Sequence, residues 1–134
     1  MNTHALHIKA EQEGARSAIH IISLDKTDGD TIRGLVGGYM EVAARGKVNG
    51  VPCVLICDEE GRLKPQPEAN WAAADLATTM TNNPAFLFSS VFGDCVLLCD
   101  TEEDWRTFTA DELKRIIEVL HVGGFNIVDA TVDV

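Results

Sequence analysis

Apolar and polar residues alternate over Leu6-His7-Ile8-Lys9 and again over Ala18-Ile19-His20-Ile21, the two-residue period of strands with one wet face. Glu11 to Arg16 between them reads as a turn. A reversal at Glu13-Gly14 sets Ile8 opposite Ile19 and Leu6 opposite Ile21 on an inner face. The same register sets His7 opposite His20 on the outer face. After the polar loop Asp25 to Asp30, Thr31 to Val36 carries apolar residues at helical spacing, and Gly37-Gly38 supplies a residue tolerant of positive φ to end that helix. Tyr39 to Ala43 reads as a strand, and Asn49-Gly50 is a hairpin signal before a further strand, Val51 to Cys57.

Asp58-Glu59-Glu60-Gly61 closes that strand with a tight turn, and Pro65 and Pro67 keep the next segment extended. The alanine-rich stretch Ala69 to Met80 predicts a helix with Ala72, Ala73, Leu76 and Met80 on one side, stopped by Asn82-Asn83-Pro84. The continuous apolar run Val91 to Cys99 predicts a buried central strand, with Phe86 and Phe88 leading into it. Thr109 and Glu112 form a capping box that opens a helix with the core stripe Leu113, Ile116, Ile117 and Leu120, ending at Gly123-Gly124. Phe125 to Val134 offers a last strand through Ile127 and Val132. Helices and strands do not alternate regularly. The fold class is therefore α+β: a mostly antiparallel sheet with two to three helices packed on it, in a single domain over residues 1–134.

Composition narrows the setting. The chain has 134 residues, 46% of them apolar and only 4 of them proline, enough to bury a core of ordinary size. Its densest apolar run, Ala85 to Cys99, is interrupted by Ser89, Ser90, Gly93 and Asp94 and falls short of the ~20 residues a membrane span requires. The first residues carry no basic and apolar leader, and four cysteines without such a leader fit a reducing compartment. The expected location is cytoplasmic, with no membrane partner. Acidic side chains outnumber basic ones 21 to 11, for a net charge of −10. Lys114-Arg115 is the single adjacent basic pair, which argues against direct nucleic-acid binding. Such a surface favours solubility, basic partners and cations.

Candidate chemistry is sparse. Cys53-Val54-Leu55-Ile56-Cys57-Asp58-Glu59-Glu60 is echoed by Cys95-Val96-Leu97-Leu98-Cys99-Asp100-Thr101-Glu102. Two cysteines four apart on one strand lie roughly 13 Å apart, too far to share a metal ion. Across neighbouring strands they can meet, but as buried residues they serve as small apolar fillers. If the two echoed strands are parallel neighbours, their acidic ends converge and can hold a hard cation; if antiparallel, the ends lie apart. Gly34 to Gly38 follows a helix, whereas a phosphate cradle opens one. No esterase elbow, phosphate-binding loop or zinc-protease motif is present, and the His7–His20 pair has no third ligand in view. No catalytic residue, metal ligand or cofactor is assigned.

The segments Leu35-Val36-Gly37-Gly38-Tyr39-Met40-Glu41-Val42 and Val54 to Leu63, then Asn70, then Phe92-Gly93-Asp94-Cys95-Val96-Leu97-Leu98, arrive in a characteristic order. Together with the opening hairpin they resemble the uncharacterised family called domain of unknown function 3846, over roughly residues 5–121. That family comprises short proteins of bacteria, phages and mobile elements. The resemblance implies a small accessory protein, with recurrent positions at Gly37, Gly38, Glu41, Glu59, Glu60, Gly61 and Asn70. The segment Ala72 to Phe92 is longer than the family's pattern, and residues 122–134 extend beyond it. The leading expectation is a non-enzymatic module that binds a host protein or small molecule at those seven positions. Two others stand beside it: a small metabolite- or nucleotide-processing enzyme using Glu59 or Glu60 as acid–base group, and a structural homo-oligomer subunit joined through edge strands.

Overall fold

The computed structural model describes residues 3–10, 18–65, 67–87 and 91–129. Within them lie strands β1 (His4–Lys9), β2 (Ala18–Ser23), β3 (Met40–Val48), β4 (Val51–Asp58), β5 (Cys95–Asp100), β6 (Trp105–Arg106) and β7 (Ile127–Asp129). The helices are α1 (Gly29–Val36), α2 (Trp71–Thr81) and α3 (Ala110–Val122). One seven-stranded sheet has the order β3-β4-β5-β1-β2-β7, with β6 alongside β5. Its pairings are antiparallel apart from β2 with β7, which is parallel. This is the α+β class that the patterning implies.

Both faces of the sheet are covered, which accounts for the near-continuous apolar runs in its centre. Leu6, Ile8, Cys53, Leu55, Cys95, Leu97 and Cys99 point to one face and pack with Leu76, Ala77 and Met80 of α2 and Ile116 and Leu120 of α3. Ala5, Val54, Ile56, Val96 and Leu98 point to the other and pack with Ile32 and Val36 of α1. Each fully buried Leu or Ile contributes about 1.5–3 kcal/mol, so the central strands carry much of the stability.

The β1–β2 register is the expected one, with Leu6 opposite Ile21, His7 opposite His20 and Ile8 opposite Ile19. The connecting turn at Glu13-Gly14 lies outside the described residues. The outer face is not wet: His7 lies beneath α1 with its side chain 12% exposed, and its Nε2 donates to the Leu35 carbonyl at 2.8 Å. The expected strand from Val91 is also corrected, since β5 begins at Cys95. Gly93 has a φ of +80°, and the Val91 carbonyl and the Gly93 N–H are tied to Asn70 and Glu68. Before it, Pro84–Leu87 is a 3-10 turn; Phe88 and Val132 lie outside the described residues. β3 runs past Ala43 to Val48 with an irregularity at Val42/Ala44, a common way for an edge strand to twist away from further pairing.

The helix ends follow their sequence signals. Asp28 caps α1 by accepting from Thr31 N–H, and Gly37 closes it in the left-handed conformation. Thr109 and Glu112 form the reciprocal capping box of α3. No helix among the described residues is long and apolar enough to cross a membrane.

Candidate functional site

β4 and β5 run antiparallel, with Cys53 opposite Cys99 and Leu55 opposite Leu97. The two acidic turns therefore lie at opposite ends of the sheet, and the convergent arrangement that would hold a hard cation does not form. Among the described residues, no three His, Cys, Asp or Glu side chains gather closely enough to bind a metal ion.

The same antiparallel pairing builds a small pocket at one end. Continued past Ile56 and Val96, the register brings Asp58 abreast of Asp94. These two, with Val36, Gly61, Lys64, Glu68 and Gly93, line a polar cavity of about 170 Å³. Asp58 ends β4 with its side chain only 2% exposed. Its Oδ1 accepts from the Glu60 N–H at 3.0 Å. Its Oδ2 takes no hydrogen bond, although Lys64 Nζ stands 3.1 Å away. Lys64 thus meets this oxygen as an ion pair that offsets its charge. Lys64 Nζ also reaches the Gly37 carbonyl at 3.4 Å.

Asp94 immediately precedes β5. Its Oδ1 accepts from the Ala10 N–H at 3.0 Å, and its Oδ2 lies 3.9 Å from His7 Nε2. His20, across the strand pair from His7, has its pKa lowered first by burial and then by the charges of Lys9 and His7. The cavity lining thus counts three acidic residues and one lysine.

Four of the seven residues singled out by the resemblance gather around Asp58. Gly37 caps α1 and offers its carbonyl to Lys64. Gly38 lies against the Asp58 carboxyl so closely that a Cβ there would meet Oδ1 at 2.6 Å. Glu60 holds Asp58 through its backbone N–H. Gly61 lines the cavity and lies so near Phe92 that a Cβ would come 2.7 Å from its carbonyl oxygen. Glu59 is exposed in the same turn, tied by its N–H to the Tyr39 carbonyl. Glu41 stands apart, exposed on the edge strand β3. Asn70 is buried and acts within the scaffold: its Oδ1 caps α2 through Ala73 N–H, and its Nδ2 donates to the carbonyls of Ile8 and Gly93 at 2.9 and 2.8 Å.

Lys64 and Glu68 are not among the sequence candidates, Asp94 enters there only within the Phe92 to Leu98 motif, and Asp58 enters as one of the acidic turn residues weighed for a hard cation. The signal for Asp58 was its place directly after a fully apolar strand, where a carboxylate is still within the ladder. Gly93-Asp94 interrupting an apolar run was a similar signal.

Two further features lie elsewhere. A second polar depression of about 350 Å³ at the opposite end is lined by Asp100 to Trp105 with Thr27 and Arg45, and Arg45 pairs with Asp100 at 3.3 Å. The four cysteines form no disulfide and are buried on the face covered by α2 and α3. Burial pushes the Cys53 thiol up to about 12 and raises those of Cys95 and Cys99 as well, so these three thiols stay protonated.

A family model described as "Domain of unknown function (DUF3846)" matches residues 7–121, which include every residue of the pocket. No curated protein and no solved structure matches the chain.

Proposed function

This chain belongs to the family described as a domain of unknown function (DUF3846), and from that premise we propose that it is a small acidic binding module, an accessory protein of a phage or mobile element, that engages a host protein or small molecule at the Asp58 pocket. The observation that carries this reading is the Asp58 carboxylate itself. It is almost wholly buried, with one oxygen lacking a hydrogen bond, beside a cavity within the matched segment. A buried acceptor with no partner at all costs about 1–3 kcal/mol; Lys64 offsets part of that cost here, and a ligand that hydrogen-bonds the oxygen recovers the rest.

Catalysis by Glu59 or Glu60 has weaker support. Both side chains are exposed at the turn, where water screens the charges that acid–base chemistry relies on. Self-association through β3 is opposed by Glu41, Arg45 and Lys47 along that exposed edge.

Affinity capture from host lysate, with native mass spectrometry of the purified chain, tests the reading. The expected result is a stoichiometric partner or a bound metabolite that is lost on Asp94→Asn substitution. Capture of neither, or binding indifferent to that substitution, overturns it.

A further inference from the structure

We infer that the Asp58 pocket receives a cationic group, a guanidinium or primary ammonium, and that Lys64 is a resident stand-in which the incoming cation displaces. The inference rests on the binding-module reading and gives it a ligand chemistry.

The charge balance sets the sign. The cavity is lined by three acidic residues, Asp58, Glu68 and Asp94, with Lys64 as the one basic residue of the lining, so an anion would meet net repulsion there. The geometry sets the kind of cation. No three ligating side chains among the described residues stand close enough to form a metal cage, which favours a cation whose donors spread over several ångströms. A guanidinium presents five N–H donors in a rigid plane and can bond Asp58 Oδ2 while reaching a second carboxylate; an ammonium presents three. The volume of about 170 Å³ admits such a head group with a short stem. It lies below the ~300 Å³ at which pockets for whole drug-sized ligands begin.

Lys64 already shows the mode of occupancy. Its Nζ stands 3.1 Å from Asp58 Oδ2 without making a hydrogen bond, while its side chain is half-exposed. Its other contact, to the Gly37 carbonyl, is long at 3.4 Å. A flexible, strongly hydrated and half-exposed ammonium is readily exchanged for a planar, multidentate donor. A ligand must compete with it, so removing the Lys64 charge exposes the site.

The test uses agmatine, which carries a guanidinium and a primary ammonium, as a free cation and acetyl-Gly-Arg-Gly-amide as a protein-borne one, with the citrulline peptide as neutral control. Binding is followed by ¹H–¹⁵N shifts and calorimetry at low salt. Both cations are expected to shift the amides of Gly38, Glu60, Gly61 and Gly93, and the citrulline peptide to shift none. Lys64→Gln is expected to tighten binding at least fivefold, and Asp94→Asn to weaken it. Asp58→Asn is expected to abolish binding where circular dichroism shows it folded; the other two variants decide the matter if it is not. Tighter binding of the peptide assigns the natural cation to a protein side chain, and tighter binding of agmatine assigns it to a metabolite. Absence of shifts at millimolar cation, or unchanged or weakened binding by Lys64→Gln, overturns the inference. If a host partner is then still captured in an Asp94-dependent way, the binding-module reading survives; if none is, both fall.

Discussion

Gly38 and Asp58 touch in a way that only glycine permits: a methyl group on Gly38 would overlap the whole Asp58 carboxyl, with both oxygens and Cγ at 2.6–2.7 Å. Gly38→Ala is expected to push the carboxylate away from Lys64 and the Glu60 N–H, destabilising the fold by about 1–3 kcal/mol, as overpacking does. Gly34→Ala is the internal control, since nothing lies within 4 Å of a Cβ there and the site is in a helix. That change is expected to stabilise by roughly 0.5–1 kcal/mol. Urea denaturation of the two variants checks both signs.

Asn70 gives the second expectation. Its amide joins the N-terminus of α2 to β1 and to the start of β5. Asn70→Ala removes a helix cap and leaves two carbonyls short of a donor, for an expected loss of about 2–4 kcal/mol. Asn70→Asp keeps the cap but turns an acceptor toward those carbonyls, and is expected to cost at least as much. Were Asn70 a ligand contact on the surface, neither change would move the denaturation midpoint.

Acid stability depends on Glu112. The Arg106 guanidinium, hydrogen-bonded to it at 2.7 and 2.9 Å, holds its carboxyl down to about 2 from an ordinary 4.5, helped by the Thr109 N–H. A carboxyl whose pKa is depressed by folding contributes stability that is complete above the unfolded value and lost as pH falls through the folded one. The loss is therefore expected between pH 4.5 and 2. It should amount to about 1–2 kcal/mol once solvent screening of this partly exposed pair is allowed for. Denaturation midpoints over that window should fall for the native chain and stay flatter for Glu112→Gln.

The cysteines are expected to be silent in the native state. Burial raises the pKa of Cys53, Cys95 and Cys99 alike, and thiolate is the reactive form. DTNB at pH 8 should label none of the four in native protein and all four in denaturant. Stoichiometric native labelling would show that the face under α2 and α3 opens locally.

How much of this was legible in the sequence depends on how far apart the cooperating residues stand. The β1–β2 register, the Thr109–Glu112 box and the Gly37 cap are local, and periodicity or capping chemistry reveals them directly. Val91 to Asp94 was misread as strand because hydropathy is blind to the positive φ of Gly93 and to the backbone ties with Glu68 and Asn70. β7 is three residues long and is held by parallel pairing to β2, a placement that no local pattern encodes. The pocket needed one further fact, the relative direction of β4 and β5. The echoed Cys-Val-Leu segments fit either direction equally well, so Asp58 and Asp94 could not be matched until the sheet was known.

That direction also governs how the molecule's charge is felt in solution. Asp58 to Glu60 and Asp100 to Asp104 stand six strand positions apart along the paired β4–β5 ladder, roughly 20 Å at the rise of an extended chain. At physiological ionic strength the Debye length is about 8 Å, so each end is electrostatically deaf to the other. For the exposed carboxylates of the two turns the coupling is small, and the two ends present a partner with separate negative poles.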